Sequence, residues 1–294
     1  SQQGKYLEAE PLFKRALRIR ERLLGPEHPD TAQSLNDLAN LYYKQSKDVE
    51  AEPLYERALH IWEQQLGPEH PRVANPLNNL ANLYSQQGKD VEAEPLFRRA
   101  LHIWEQQLGP EHPLVATLLN NLAILYLLQG NDAKAELLFQ RALRIREQRL
   151  GPEHPDVAVS LNNLGEFYLL QGNDAKAEPL YQRALYIRER QLGPEHPDVA
   201  ISLNNLADLY LQQSKYAKVE PLYQQALQIF ERQVGPEHPL VAYPLNGLAK
   251  LYHEQGKGAE AEPLFKRALR IREQQLGFHH PETKETRSHL IALL

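Results

Sequence analysis

A five-residue phrase, Gly-Pro-Glu-His-Pro, opens at positions 25, 67, 109, 151, 193 and 235, a step of 42 residues each time. A changed copy, Gly-Phe-His-His-Pro, opens at 277. Self-similarity at a fixed period of about 20–50 residues marks a repeat architecture, in which each unit buries its apolar face only against its neighbours. The period therefore constrains the fold more than the length of 294 residues does. It also raises a chemical question. A proline-flanked histidine repeated this regularly is a reused catalytic loop, a series of metal ligands, or punctuation between helices.

Residues 29–66 serve as the type unit. Pro29 suits a first helical turn, where its missing N–H costs nothing, and Asp30 suits the positive end of a helix. Leu35, Leu38, Ala39 and Tyr42 follow at i, i+3, i+4 and i+7, a one-sided apolar stripe. A turn, QSKD here and glycine-bearing QGK or QGN in four other copies, ends this helix. Asp48, Asp90, Asp132 and Asp174 are expected to cap the second helix, which carries Ala51, Tyr55, Ala58, Leu59 and Trp62 on one face. Pro53 falls near its first turn. Gly67 ends it and Pro68 prevents its resumption. The unit is a helical hairpin with a short stiff connector, and alanines at 39, 51 and 58 allow close helix approach.

The predicted layout is a single solenoid over residues 1–294. A partial repeat occupies 1–24, and full repeats occupy 25–66, 67–108, 109–150, 151–192, 193–234 and 235–276. A final helix at 277–294 is more polar, as a terminal cap needs to be. The chain has no methionine and opens on SQQG, which matches the end of a first helix at 86–88, so it reads as a segment of a longer polypeptide. Its unlike ends permit head-to-tail self-association.

Composition excludes several classes. Net charge is −5 with acids and bases interleaved, which argues against nucleic-acid binding. No cysteine is present, so disulfides and thiolate chemistry are absent. No apolar run approaches the ~18 residues of a membrane span, and a cytoplasmic, membrane-free protein is the expectation. The connector histidines, His28, His70, His112, His154, His196 and His238, lie on successive repeats. Helices pack about 8–10 Å apart, whereas metal ligands converge within about 2.1 Å of one ion. They are therefore read as structural. No HExxH, phosphate loop or GxSxG motif occurs, so no enzyme activity, cofactor or metal is expected.

Asn36, Asn78, Asn120, Asn162, Asn204 and Asn246 flank the stripe and are expected to hydrogen-bond a neighbouring helix or turn. The next position reads Asp37, Asn79, Asn121, Asn163, Asn205 and Gly247. It lies roughly 150° from the stripe centre, where a ladder gripping a ligand's backbone competes with a plain solvated face; the ligand ladder is favoured. Two positions vary between repeats, as specificity positions do. On the first helix they are Asn40, Asn82, Ile124, Glu166, Asp208 and Lys250. On the second they are Arg20, Trp62, Trp104, Arg146, Arg188, Phe230 and Arg272.

The pattern LxxLAxLY, a glycine turn, and an alanine–aromatic–alanine helix resembles the tetratricopeptide repeat. Its 42-residue form, LGPEHPDVAxSLNNLAxLYxxQGxxxxAEPLYxRALxIRExxLG, is similar to that of kinesin light chain and its bacterial relatives over essentially all of the chain. The resemblance implies an all-α, right-handed superhelical solenoid of antiparallel helix pairs, with the Asn79-type position lining a concave groove. It implies that Arg146 and Arg188 help bind an acidic, tryptophan-containing peptide. Trp62, Trp104 and Phe230 depart from that arginine and would make the groove apolar; packing beneath the connector is the alternative for the tryptophans. A second family arginine is replaced by Tyr43, Ser85, Leu127, Leu169, Leu211 and His253. With Glu166 and Asp208 nearby, acidic-cargo specificity is not carried over.

The expected function is a protein-interaction scaffold taking an extended peptide or partner helix in its groove. The expected contacts are Asn79, Asn82, Asn121, Asn163 and Asn205, apolar anchors at Leu127, Leu169, Leu211 and the aromatics, and the charged positions named above. The alternatives are a self-assembling structural spacer and a regulatory segment of a larger signalling protein.

Overall fold

The computed structural model describes residues 2–45 and 47–293; Ser46, in the first inter-helix turn, lies outside the described residues together with the first and last residues. Among the described residues every regular element is a helix. The chain divides into two compact units, Gln2–Pro152 and Glu153–Leu294. The N-terminal unit holds α1 (Gln2–Leu24), α2 (Pro29–Lys44), α3 (Asp48–Leu66), α4 (Pro71–Gln86), α5 (Asp90–Leu108), α6 (Pro113–Leu128) and α7 (Asp132–Leu150). The C-terminal unit holds α8 (Pro155–Leu170), α9 (Asp174–Leu192), α10 (Pro197–Gln212), α11 (Tyr216–Gln233), α12 (Ala242–Glu254), α13 (Gly258–Gln275) and α14 (Pro281–Leu293). A 3₁₀ turn at Pro239–Val241 leads into α12, so that repeat starts less regularly than the others.

Each hairpin pairs as its stripes require. Ala39, Ala51 and Ala58 are fully buried, and their small side chains let Leu38, Tyr42 and Tyr55 interlock with Leu80 and Leu83 of the next repeat. The same arrangement buries Val199, Leu203, Phe230, Leu245 and Ile271 in the C-terminal unit. Each fully buried large side chain contributes about 1.5–3 kcal/mol, a gain open to a hairpin only when its neighbour is present.

Connectors form through local chemistry. Gly67 adopts φ 93°, a conformation that only glycine takes without strain. His28 is extended ahead of Pro29 (φ −79°, ψ 142°), as a residue preceding proline must be. Its ring does more than the sequence suggested. In all seven copies the histidine Nδ1 accepts the backbone N–H two residues on, at 3.1–3.4 Å, and so serves as the N-cap of a first-type helix. An accepting Nδ1 is unprotonated, and burial lowers the pKa of His238 accordingly. The connectors are clamped from above by arginine. Arg57 binds Glu21 at 2.8 Å and the Pro26 carbonyl at 3.3 Å. Arg99, Arg141 and Arg267 repeat the contact.

One capping expectation is corrected. Asp48, Asp90, Asp132 and Asp174 are the first residues of their helices, and the caps are Lys47, Lys89, Asn131 and Asn173. Of these four caps, only Asn173 has a side-chain capping bond, accepting from the Lys176 N–H. The aspartates act instead through their charge at the helix start.

Within each unit the first-type helices touch their successors directly: α2 meets α4, α4 meets α6, α8 meets α10, α10 meets α12 and α12 meets α14. Among the described residues no second-type helix does so. The stack is tighter on the first-helix side, which makes that side the inner face of each unit.

Candidate interaction site

The structure separates the expected site residues into two groups. Trp62, Trp104, Phe230, Arg146 and Arg188 are buried, and none is more than 6% exposed. They offer no surface to a ligand, so their assignment to a binding groove is corrected. Trp62 Nε1 donates to the Pro29 carbonyl at 3.0 Å, and Trp104 Nε1 to that of Pro71 at 3.4 Å. Packing beneath the connector is their role.

At the equivalent place on other second-type helices, arginines are held by hydrogen bonds. Arg188 donates to the Asp198 carbonyl at 3.1 Å and to Ser202 Oγ at 2.8 Å on the next repeat. Arg20 does the same with Asp30 and Ser34, and Arg272 with Glu282 and Thr286. Asn162, with its amide oriented by the contact, accepts from Arg188 at 2.7 and 3.3 Å. Arg146 reaches Thr117 at 3.1 Å. A buried guanidinium needs such partners, since an unpaired one is costly.

The residue fourteen positions on completes the pattern. Arg20, Arg146, Arg188 and Arg272 are followed there by Ser34, Ser160, Ser202 and Thr286. Trp62, Trp104 and Phe230 are followed by Pro76, Leu118 and Pro244. Arginine is matched with a hydroxyl and each aromatic with an apolar residue. At Arg20, Arg188 and Arg272 that hydroxyl lies on the next repeat and accepts from the guanidinium, so the variation that suggested ligand specificity serves packing there. Its signal was present in the sequence as paired change within one chain.

The second group is accessible. Asn79, Asn82, Asn121, Asn163, Asn205, Leu127, Leu169 and Leu211 are half-buried on first-type helices, and Glu166 and Asp208 are exposed there. In the N-terminal unit the amides are largely committed to one another. Asn79 Nδ2 donates to Asn36 Oδ1 at 3.2 Å and to Asn40 Oδ1 at 3.0 Å, and Asn121 Nδ2 donates to Asn78 Oδ1 at 2.8 Å. Tyr55 also donates to Asn40, at 2.7 Å. This amide ladder joins consecutive repeats. The expectation that the Asn79-type position has no packing role is therefore corrected, because the preceding repeat's first helix supplies its acceptor.

The C-terminal unit differs. Asn204 Nδ2 turns to Asp208 Oδ2 within its own helix, at 3.0 Å, and Asn205 makes no side-chain hydrogen bond among the described residues. Tyr223 donates its hydroxyl to Asp208 Oδ1. Its ring lies so close to α12 that a Cβ on Gly247 would sit 2.3 Å from Cζ, which accounts for glycine where other repeats carry asparagine or aspartate. Asp208 is open to solvent on one side and crowded by protein on the others; that crowding pushes its pKa up to about 6, against the lowering effects of Tyr223 and Lys250. Crowding likewise raises Glu166. Between α10 and α12 an open hollow of ≈ 680 Å³ is bordered by Asp208, Leu211, Tyr216, Lys250 and Glu254. Among the described residues no His, Asp and Glu side chains gather as a metal-binding set, and no helix is long and apolar enough to cross a membrane.

Stacked helical hairpins, joined through matched buried pairs and presenting a variable polar inner face, define a repeat scaffold. Tetratricopeptide-repeat family models match residues 1–60, 47–102, 91–148, 138–185, 156–232 and 216–274, and the chain belongs to that family. No curated protein matches it in sequence. Among solved structures it is similar to BtubC (BKLC) from P. vanneervenii, at 26% identity and a TM-score of 0.62, over 81% of this chain and 93% of that one. It is also similar to a putative kinesin light chain from Podospora anserina with nearly identical repeats, at 27% identity and a TM-score of 0.58, over 70% of this chain and 98% of that one. A tetratricopeptide protein from Parabacteroides merdae, 22% identical with a TM-score of 0.60, covers 99% of this chain and 94% of its own and shares the fold. Its structural neighbours thus include kinesin light chain-like repeat proteins. Such stacks are typically scaffolds for protein–protein interaction and generally non-catalytic.

Proposed function

We propose that this chain is an interaction scaffold that holds an extended protein segment along the inner face of its first-type helices. One observation carries the reading. Inside an array whose packing positions repeat closely, the accessible inner position changes chemistry from Asn40 and Asn82 to Ile124, Glu166, Asp208 and Lys250. Asn40 and Asp208 also bond within the stack. Ile124 and Glu166 are exposed and make no side-chain hydrogen bond among the described residues, which leaves their variation free to serve a partner. Half-buried Leu127, Leu169 and Leu211 supply apolar contact one turn further on, and extended segments bind through side-chain pockets and main-chain hydrogen bonds together.

The test is a photo-crosslinking amino acid placed at Ile124 or Glu166, compared with Val49 or Val91, which are exposed on second-type helices. Each variant chain is challenged with peptides selected from a random library on the unmodified protein. Labelling from Ile124 or Glu166 and not from the valines is expected. Equal labelling from all four, or a library that yields no binder, defeats the proposal.

A further inference from the structure

The last first-type helix departs from the others on the side that would meet a following helix. In each full repeat an Ala, a Leu and an Ala or Gly stand at the positions of Ala32, Leu35 and Ala39. All are buried, because the second-type helix of the same hairpin rests on them. Ala200 and Leu203 share one core with Ala226 and Ile229, and Ala39 shares another with Ala51 and Tyr55. On α14 the three positions are Lys284, Arg287 and Ile291.

Each replacement removes something a following helix needs. Room is lost first. A Cβ on Gly165 would stand 2.9 Å from the Tyr181 ring of the same hairpin, so this place has little space beyond an alanine. Ile291 puts a branched side chain there, 67% exposed. Apolar contact is lost next, since stacking would bury the charges of Lys284 and Arg287 where alanine and leucine pack elsewhere. The clamp is lost last. Arg57, Arg99 and Arg267 each hold a glutamate of the preceding second-type helix. The corresponding glutamate of α13 is Glu273, and Arg287 has taken it at 2.8 Å. The Arg287 guanidinium also lies 3.6 Å from the centre of the Phe278 ring, where other connectors carry proline. Polarity is not the device, since Phe278 is itself 58% exposed.

The opposite end keeps what α14 lacks. α1 carries Ala9, Phe13, Ala16 and Ile19 at the positions of Ala51, Tyr55, Ala58 and Ile61, and its Arg15 corresponds to the clamp Arg57. Ile19 is 40% exposed, whereas Ile61 and its five counterparts are at most 2% exposed. Arg15 is exposed as well. α1 is thus a second-type helix with its packing face and clamp intact, and a second copy of this chain would bring it a first-type helix to rest on. An unlike-ended contact of that kind repeats without closing and builds filaments.

We infer that α14 is a built-in stop, whose Lys284, Arg287 and Ile291 close this end of the array to the α1 face of a second copy. The stop is independent of what the inner face binds.

The test is a gain of association in the full chain. Lys284→Ala, Arg287→Leu and Ile291→Ala together restore the common pattern, and Ile19→Asp spoils the α1 face. Thermal melts check that each variant is folded; if the triple variant is not, Arg287→Leu/Ile291→Ala takes its place in every arm. Sedimentation velocity over about 1–100 μM should find the unmodified chain monomeric and the triple variant in oligomers that lengthen with concentration. Adding Ile19→Asp to the triple variant should return it to a monomer. Mixed with the unmodified chain, that last variant should form a complex of one chain of each and nothing larger, because each offers one usable end. Three results would overturn the stop: an unmodified chain that associates through Ile19, a folded opened variant that stays monomeric, or association that Ile19→Asp leaves unchanged.

Discussion

The two units are built on one frame and differ where that frame meets solvent. In the N-terminal unit, Asn79 and Asn121 donate to the preceding repeat, and the inner polar groups largely satisfy one another. In the C-terminal unit, acids at Glu166 and Asp208 replace amides, Asn204 turns to Asp208, and neither acid makes a close ion pair among the described residues. An amide is donor and acceptor at once and can close a ladder with its own kind. A carboxylate only accepts. The same fold position therefore joins consecutive repeats through Asn40 in one unit and bonds within its own repeat through Asp208 in the other.

The largest predicted effect comes from exchanging the joints beneath the two faces. Trp62→Arg carries the joint chemistry of Arg188 into a place where Pro76 offers no hydroxyl. The buried, unpaired guanidinium should cost about 3–5 kcal/mol, read as a lower urea midpoint. Adding Pro76→Ser should recover part of that loss, and strict additivity in the double-mutant cycle would break the pairing rule.

Next in size is the ladder itself. Asn79→Ala strips the donor from two acceptors and should cost about 1–2 kcal/mol. Asn205→Ala should cost under about 0.5 kcal/mol. Equal losses in thermal melts would erase the distinction between the faces.

The connectors should show no such difference. His70→Ala and His196→Ala each remove an N-cap acceptor, at a cost of about 1 kcal/mol in either unit. The corresponding asparagine substitutions should lose only a few tenths of that. Unequal losses from the alanine pair would mean that the frame is not shared.

The smallest effect is that of Asp208→Asn. The folded-state pKa of Asp208, about 6, lies above its ordinary value of 3.8. The folded protein therefore holds this proton more tightly than the unfolded chain, and the group disfavours folding increasingly as pH rises from about 4 to 6. The substitution should raise the melting temperature slightly at pH 7.5, and the gain should shrink toward pH 4. A variant less stable at pH 7.5 would show that the charge is needed by the fold.

Much of this was legible in the chain. The first-type helices start at the expected connector prolines, apart from the 3₁₀ entry to α12, and Gly67-type residues end second helices, because these are local preferences of single residues. The connector histidine was read correctly as structural, although its capping ring was missed: the sequence shows a histidine before proline but not the direction of Nδ1. Trp62, Arg146 and Arg188 were misplaced for a different reason. Periodicity places a side chain on its own helix and does not say which neighbouring helix covers that side. Asn79 stands far from its own stripe and looked free, yet the helix that receives its bond lies in the repeat before.

The sequence by itself determined the repeat, the hairpins, their stops and starts, and the absence of cysteine chemistry, since each follows from residues a few positions apart or from composition. Only the tertiary structure decided which varying residues were joints and which were surface. That choice depends on burial between residues as distant as Asn36 and Asn79, and burial is a property of the stack rather than of any one helix.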